Sequence, residues 1–170
     1  MGIRYYAYAF DGDVTDQVLS DPRSVVSADP LADAWGLEPG VRISRTTFEQ
    51  AVCERDMLYL DKAWRHLQVL TAPLRAGITA RPAFRMFEGS ITMHDEGWDP
   101  WVRALTPSEV LAIAQDLDEV SDGEVGLRLP VSSHVDRDRE VDYAVGYLRR
   151  ARTFAKNLAD DGRGMVYLIG

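Results

Sequence analysis

Leu58-Tyr59-Leu60-Asp61-Lys62-Ala63-Trp64-Arg65-His66-Leu67-Gln68-Val69-Leu70-Thr71 is the stretch on which the reading of this chain turns. Leu60, Ala63, Trp64, Leu67 and Leu70 stand at i, i+3, i+4, i+7 and i+10, the spacing of one helical stripe. Asp61, Lys62, Arg65 and Gln68 take the other side. Asp61 falls in the first turn, where a negative charge suits the positive end of the helix dipole. The expectation is a single amphipathic helix over 58–71, with Trp64 at the centre of a core.

Towards the C-terminus, Ala72-Pro73 and Gly77 stop that helix. A strand is expected at Ser90–Met93, after Phe84, Met86 and Phe87. Gly97-Trp98-Asp99-Pro100-Trp101 then reads as a turn into an extended piece ending at Leu105. Thr106-Pro107-Ser108-Glu109 combines an N-cap Thr, a Pro at the first helical position and a Glu at N3, a full capping box. The helix it opens runs to about Val120, with Val110, Ile113, Ala114 and Leu117 on one side. Ser121-Asp122-Gly123-Glu124 interrupts it, and Val125–Leu129 reads as another helical turn. Asp138–Leu158 carries the longest periodic stripe: Val141, Ala144, Val145, Leu148, Ala151, Ala155 and Leu158. Arg149, Arg150, Arg152 and Lys156 gather towards its C-terminal end, where cations complement the dipole. Asp160-Asp161-Gly162 closes it, and Met165–Ile169 is an apolar strand.

Towards the N-terminus, Ile3–Phe10 is apolar on both faces, as an interior strand requires. Asp11-Gly12-Asp13 turns the chain, and Asp13 is expected to cap a short helix through Val14, Val18 and Leu19, ended by Asp21-Pro22. Ser27–Gly40 reads as a loop packed down by Trp35, and Thr46–Cys53 as a helical turn. Strands at both ends with helices between them predict an α+β fold: a small mixed sheet with paired N- and C-terminal strands, packed against several helices. The whole chain, 1–170, is expected to be one domain. Its predicted core holds Tyr6, Tyr8, Leu60, Trp64, Leu67, Ile113, Leu117, Val145, Leu148 and Leu168.

At 170 residues folding buries roughly 70% of the unfolded surface, so neither disulfide nor metal is needed as a staple. A net charge of −8 argues against nucleic acid or an anionic membrane, because binding phosphate needs a basic face. Cys53 is the only cysteine, which removes any disulfide framework and suits a reduced, cytoplasmic setting. The opening Met1-Gly2-Ile3-Arg4-Tyr5-Tyr6 lacks a long apolar h-region and a cleavage site, so no leader is expected, and Tyr6 stands where a myristoylation signal wants Ser or Thr. No apolar run reaches the roughly 20 residues that span a bilayer.

Several landmarks resemble the YfbM-like family, bacterial proteins grouped under a domain of unknown function. They are Met1-Gly2 before an apolar strand, Leu60-Asp61-Lys62-Ala63-Trp64 with Leu67, Leu105-Thr106-Pro107-Ser108-Glu109-Val110, and the closing Val166-Tyr167-Leu168-Ile169-Gly170. They span the chain in the family's order. The resemblance implies an α+β fold and supplies no activity to inherit. Gln68 departs from it, standing where the family pattern has a His, and Ala72–Trp101 matches it poorly.

Few residues are arranged for chemistry. Asp11-Gly12-Asp13-Val14-Thr15 directly after an apolar strand resembles the first motif of haloacid-dehalogenase-type phosphohydrolases. There the first Asp attacks phosphorus, the second handles the leaving-group proton, and Mg²⁺ neutralises the phosphate. The downstream Lys and acidic metal pair have no counterpart in a matching setting; Lys62 lies in the amphipathic stretch and Asp95-Glu96 stands alone. His66, His94 and His134 lack metal-site spacing; His66 reads as a polar-face residue and Cys53 as a small packed side chain. Trp98 and Trp101 either cover the core or form an exposed contact surface.

The functional expectation is therefore a non-catalytic, interaction or immunity-like protein without a cofactor or metal. Its partner would be a basic protein, steered by the negative charge, or a second copy of itself. The alternative is an Mg²⁺-dependent phosphohydrolase using Asp11 and Asp13.

Overall fold

The computed structural model describes residues 2–38, 52–129 and 137–170. In chain order the elements are β1 (Tyr5–Phe10), α1 (Thr15–Ser20), α2 (Pro30–Asp33), β2 (Met57–Asp61), α3 (Trp64–Thr71), β3 (Thr92–His94), β4 (Gly97–Asp99), β5 (Trp101–Leu105), α4 (Pro107–Glu119), α5 (Asp122–Arg128), α6 (Arg137–Asp160) and β6 (Gly164–Ile169). Short 3₁₀ turns lie at Gly12–Val14, Pro22–Val25, Glu54–Asp56 and Pro82–Met86. The architecture is α+β, as expected.

β1 is an interior strand because its side chains are apolar or aromatic on both faces, and Tyr5, Tyr6, Ala7 and Tyr8 are all buried. It pairs with β2 on one side and β6 on the other, and β5 adds beyond β6, giving the order β2-β1-β6-β5. The N- and C-terminal strands are thus neighbours, and all three pairings are antiparallel. Gly164 opens β6 where no side chain fits: a Cβ there would stand 2.2 Å from the Phe10 ring and 2.7 Å from the Leu105 carbonyl.

The alternation of the strands divides the core. Tyr5, Ala7, Leu58, Leu60, Leu105, Met165, Tyr167 and Ile169 join the buried faces of α3, α4, α5 and α6 in one cluster. Tyr6, Tyr8, Met57 and Tyr59 pack on the opposite face with Ala34 and Leu37, and Phe10 and Val166 pack there with Val18. Val145 and Leu168, both predicted for the core, are only half-buried. Tyr147 and Phe154 on α6, absent from the expected stripe, are buried.

The stretch 58–71 is not one helix. Met57–Asp61 is a strand, and Asp61 turns the chain at φ 45° before α3 begins at Trp64. Asp is among the few non-glycine residues that adopt this left-handed conformation readily. The Ala63 amide donates to the Leu60 carbonyl across the turn, so Asp61 is a hinge between elements rather than a first-turn helix charge. A helical stripe would have exposed Leu58 or Tyr59; a strand between two packed layers buries Met57, Leu58, Tyr59 and Leu60 together. Leu60, Ala63, Trp64, Leu67 and Leu70 are nonetheless all buried.

Other expectations shift more locally. Asp11 rather than Asp13 occupies the N-cap of the 3₁₀ turn, and no side chain caps it. Ser27–Gly40, so far as it is described, contains α2, capped by the Asp29 side chain on the Ala32 amide. Trp35 is 60% exposed and does not pack the segment down. Cys53 is exposed rather than packed. The strand expected at Ser90–Met93 runs Thr92–His94, and the turn expected at Gly97–Trp101 contains β4. The capping box at Thr106–Glu109 forms as read, and a second one, Ser121–Glu124, opens α5. Thr46–Cys53 lies largely outside the described residues, as does His134.

Candidate functional site: an exposed hairpin and a buried polar network

Asp11 and Asp13 sit where β1 ends. The strand lies in an antiparallel sheet, not the parallel one on which a haloacid-dehalogenase-type site is built. Asp11 Oδ1 is 2.8 Å from Arg163 Nε, and Arg163 also reaches Asp56 at 2.6 Å. Asp11 is therefore one member of a structural ion cluster that ties the ends of β1 and the Glu54–Asp56 turn to the start of β6. Lys62 stands at the opposite end of β1, beside Gly2, roughly 20 Å away by the rise of six extended residues. Among the described residues, no three His, Cys, Asp or Glu side chains form a group that could hold a metal ion.

Sequence reasoning missed the densest polar arrangement, which surrounds Asp61. Its Oδ1 accepts from Arg4 Nε and the Tyr59 hydroxyl, both at 3.1 Å, and its Oδ2 accepts from the Tyr143 hydroxyl at 2.7 Å. Burial acts to raise the Asp61 pKa, but the donors Tyr143, Tyr59 and Lys62 N–H, with the Arg4 charge, hold it below the usual carboxylate value. Burial and the neighbouring carboxylate push the Tyr143 phenol far above its ordinary range, and Tyr147 up to about 12. Asp61 is thus ionised and the phenols protonated at neutral pH. The arrangement joins the N-terminal segment, β2 and α6. His66 lies edge-on to Tyr143 at 6.2 Å, and burial lowers its pKa. One signal was readable in advance: the tyrosine content of β1, β2 and α6.

Gln68, the departure from the family pattern, has a structural task. Its Nε2 donates to the Phe87 and Gly89 carbonyls at 2.9 and 3.0 Å. Tyr5 donates to the Met86 carbonyl, and Tyr167 to those of Arg85 and Glu88. Three side chains therefore pin segment 85–89, Tyr5 and Tyr167 to the sheet and Gln68 to α3. That segment delivers the chain to the β3–β4 hairpin.

The arginines of α6 also differ from the dipole expectation. Arg152 donates to the Leu117 and Val120 carbonyls at the C-terminus of α4. Arg149 pairs with Asp122 at 2.7 Å. Arg150 donates to the Leu37 carbonyl. They cap and tether neighbouring elements.

Trp98 and Trp101 are separated by the fold. Trp101 opens β5 and packs against the main core. Its ring lies where a side chain at Gly89 would be, 2.6 Å from the Cβ position, at a backbone φ of 131°. Trp98 belongs to the β3–β4 hairpin, a two-stranded sheet apart from the main one. Directly opposite Trp98 in the register is Met93. Met93 is 66% exposed and Trp98 37%, so an apolar cross-strand pair faces solvent. Asp95 and Glu96 form the hairpin turn, and Asp99, 77% exposed at its side chain, lies 3.8 Å from His94. Residues 92–99 carry three acidic side chains and neither Lys nor Arg.

The antiparallel order β2-β1-β6-β5 with α3–α6 packed on one face and the hairpin before β5 is a fold of the YfbM-like type. A solved structure shares it: YfbM from Escherichia coli, a protein of unknown function, matches with a TM-score of 0.58 over 99% of this chain and 100% of that one. Sequence identity is 16%, and at that level the likeness shows the fold alone. No family model and no curated protein matches the sequence. Among the described residues, no helix is long and apolar enough to cross a membrane.

Proposed function

We propose that this chain is a non-catalytic binding protein that docks a basic protein through the β3–β4 hairpin. The observation that carries the reading is the exposed Met93–Trp98 pair beside the acidic turn Asp95-Glu96, with Asp99 and His94 on the other face of the hairpin. Trp is enriched in the centres of protein interfaces because it buries a large rigid surface, and Met adapts its shape to a partner. The acidic neighbours form a charged rim, and the net charge of −8 speeds encounter with a cationic surface. The chain acts as one domain, in a cytoplasmic setting.

The test is affinity capture from the native cell, at low and at moderate salt, with the parent and with the double variant Met93→Ala/Trp98→Ala. A basic protein retained by the parent, released by salt and not retained by the variant supports the reading. Self-association alone, or a partner captured equally by the variant, overturns it.

A further inference from the structure

A second feature stands apart from the hairpin and does not depend on it. Between the outer edge of β2 and the C-terminal half of α6 lies a groove of ≈ 450 Å³, within the range of small-molecule sites. Leu37, Met57, Leu58 and Phe154 give it apolar walls, and Asn157 and Tyr59 add polar groups. Arg55, Arg149 and Arg150 line it with Glu54 as the single acid. Counting the acids they pair with, Asp56 and Asp122, the three arginines face three acids, so the groove offers guanidinium donors rather than a net positive charge. Arg149 and Arg150 are held by Asp122 and the Leu37 carbonyl. That tethering fixes their guanidinium groups, so little rotamer entropy remains to be lost on binding. The Arg55 side chain is 72% exposed and pairs with Asp56 at 3.5 Å, leaving donors turned to solvent.

We infer that the groove is a binding site for a small amphipathic carboxylate, whose apolar body lies against Leu37, Met57 and Phe154 while its carboxylate meets the arginines. Arg suits this task because its planar fork pairs with a carboxylate through two parallel hydrogen bonds. A neutral ligand of the same apolar body would leave the solvent-facing donors of Arg55 unused. A purely ionic ligand would leave the apolar walls wet.

Sodium decanoate, kept below its micelle concentration, is the probe, with 1-decanol as its uncharged comparison. Binding is followed by calorimetry and by NMR of protein labelled at the methionine methyl groups. Met57 lines the groove, Met86 and Met165 lie in the main core, and Met93 reports the hairpin. Saturable decanoate binding should move the Met57 methyl and leave Met93 in place. Decanol should bind about tenfold more weakly or worse, since one charge-assisted contact is worth at least that factor. Arg55→Glu, at an exposed position, should weaken decanoate by a similar factor with an unchanged circular dichroism spectrum. Absence of saturable binding, equal affinity for decanol, an unaffected Arg55→Glu variant, or a response at Met93 instead of Met57 would each overturn the inference. Loss of the hairpin reading would leave it standing.

Discussion

Asp116 shows how much a single carboxylate holds together. It accepts a forked pair of bonds from Arg81 and a third from the Ala83 amide at 2.7 Å. One residue of α4 thus anchors the 82–86 turn that precedes the hairpin. Burial opposes its ionisation, but the Arg81 bonds and the Ala83 amide outweigh that and hold its pKa below the ordinary 3.8. Asp61 is depressed in the same way. For both, the unfolded chain takes up protons before the folded one as pH falls. Their stabilisation is therefore complete above the ordinary carboxylate value and is lost as pH drops through it towards the folded values. Melting temperatures measured between neutral pH and pH 3 should show this acid limb, shallower in Asp116→Asn. At neutral pH Asp116→Ala should cost about 2–3 kcal/mol in urea titration, the scale of hydrogen bonds to a charged group that leave an arginine without its partner. An unchanged urea midpoint would remove Asp116 from this role.

At the scale of elements, what was legible in the sequence depended on whether the signal was local. The Thr106 capping box is complete within four residues and forms as read, with the Glu109 carboxylate on the Thr106 amide at 2.8 Å. Thr106→Ala should cost about 1 kcal/mol in thermal or urea unfolding; no loss would mean that packing alone fixes the start of α4. The strand–helix junction at Asp61 was misread because Leu60, Ala63, Trp64, Leu67 and Leu70 satisfy a helical period whichever way Leu58 and Leu60 are built. Only the pairing of Met57–Asp61 with β1 decides for a strand, and partners 49 to 56 residues away leave no mark in a short window. The α6 arginines misled for the same reason: the dipole is local, whereas the Leu117 and Val120 carbonyls that Arg152 serves belong to another helix. The Asp61 network has members at positions 4, 59, 61 and 143, and no spacing rule gathers those. Trp98 and Trp101 sit three apart, but strand alternation and the intervening Pro100 place one on a hairpin and the other on the core.

At the scale of the whole molecule, Trp64, Leu67 and Leu70 on α3 join Leu58 and Leu60 of β2 in the one large cluster between the sheet and the helices. Trp64→Ala should destabilise by about 3–5 kcal/mol, and a melt within a few degrees of the parent would contradict the organising role of this junction. With that frame fixed, the hairpin is a separate two-stranded sheet that carries the exposed Met93–Trp98 pair. Binding there should therefore be separable from folding. The most direct measurement is amide hydrogen exchange across 92–99, for the protein alone and with the basic partner recovered by capture. Docking through the hairpin predicts slowed exchange at Thr92–Asp99 and unchanged exchange at Asp11–Asp13. Unchanged exchange at Thr92–Asp99 in the presence of a bound partner would contradict it.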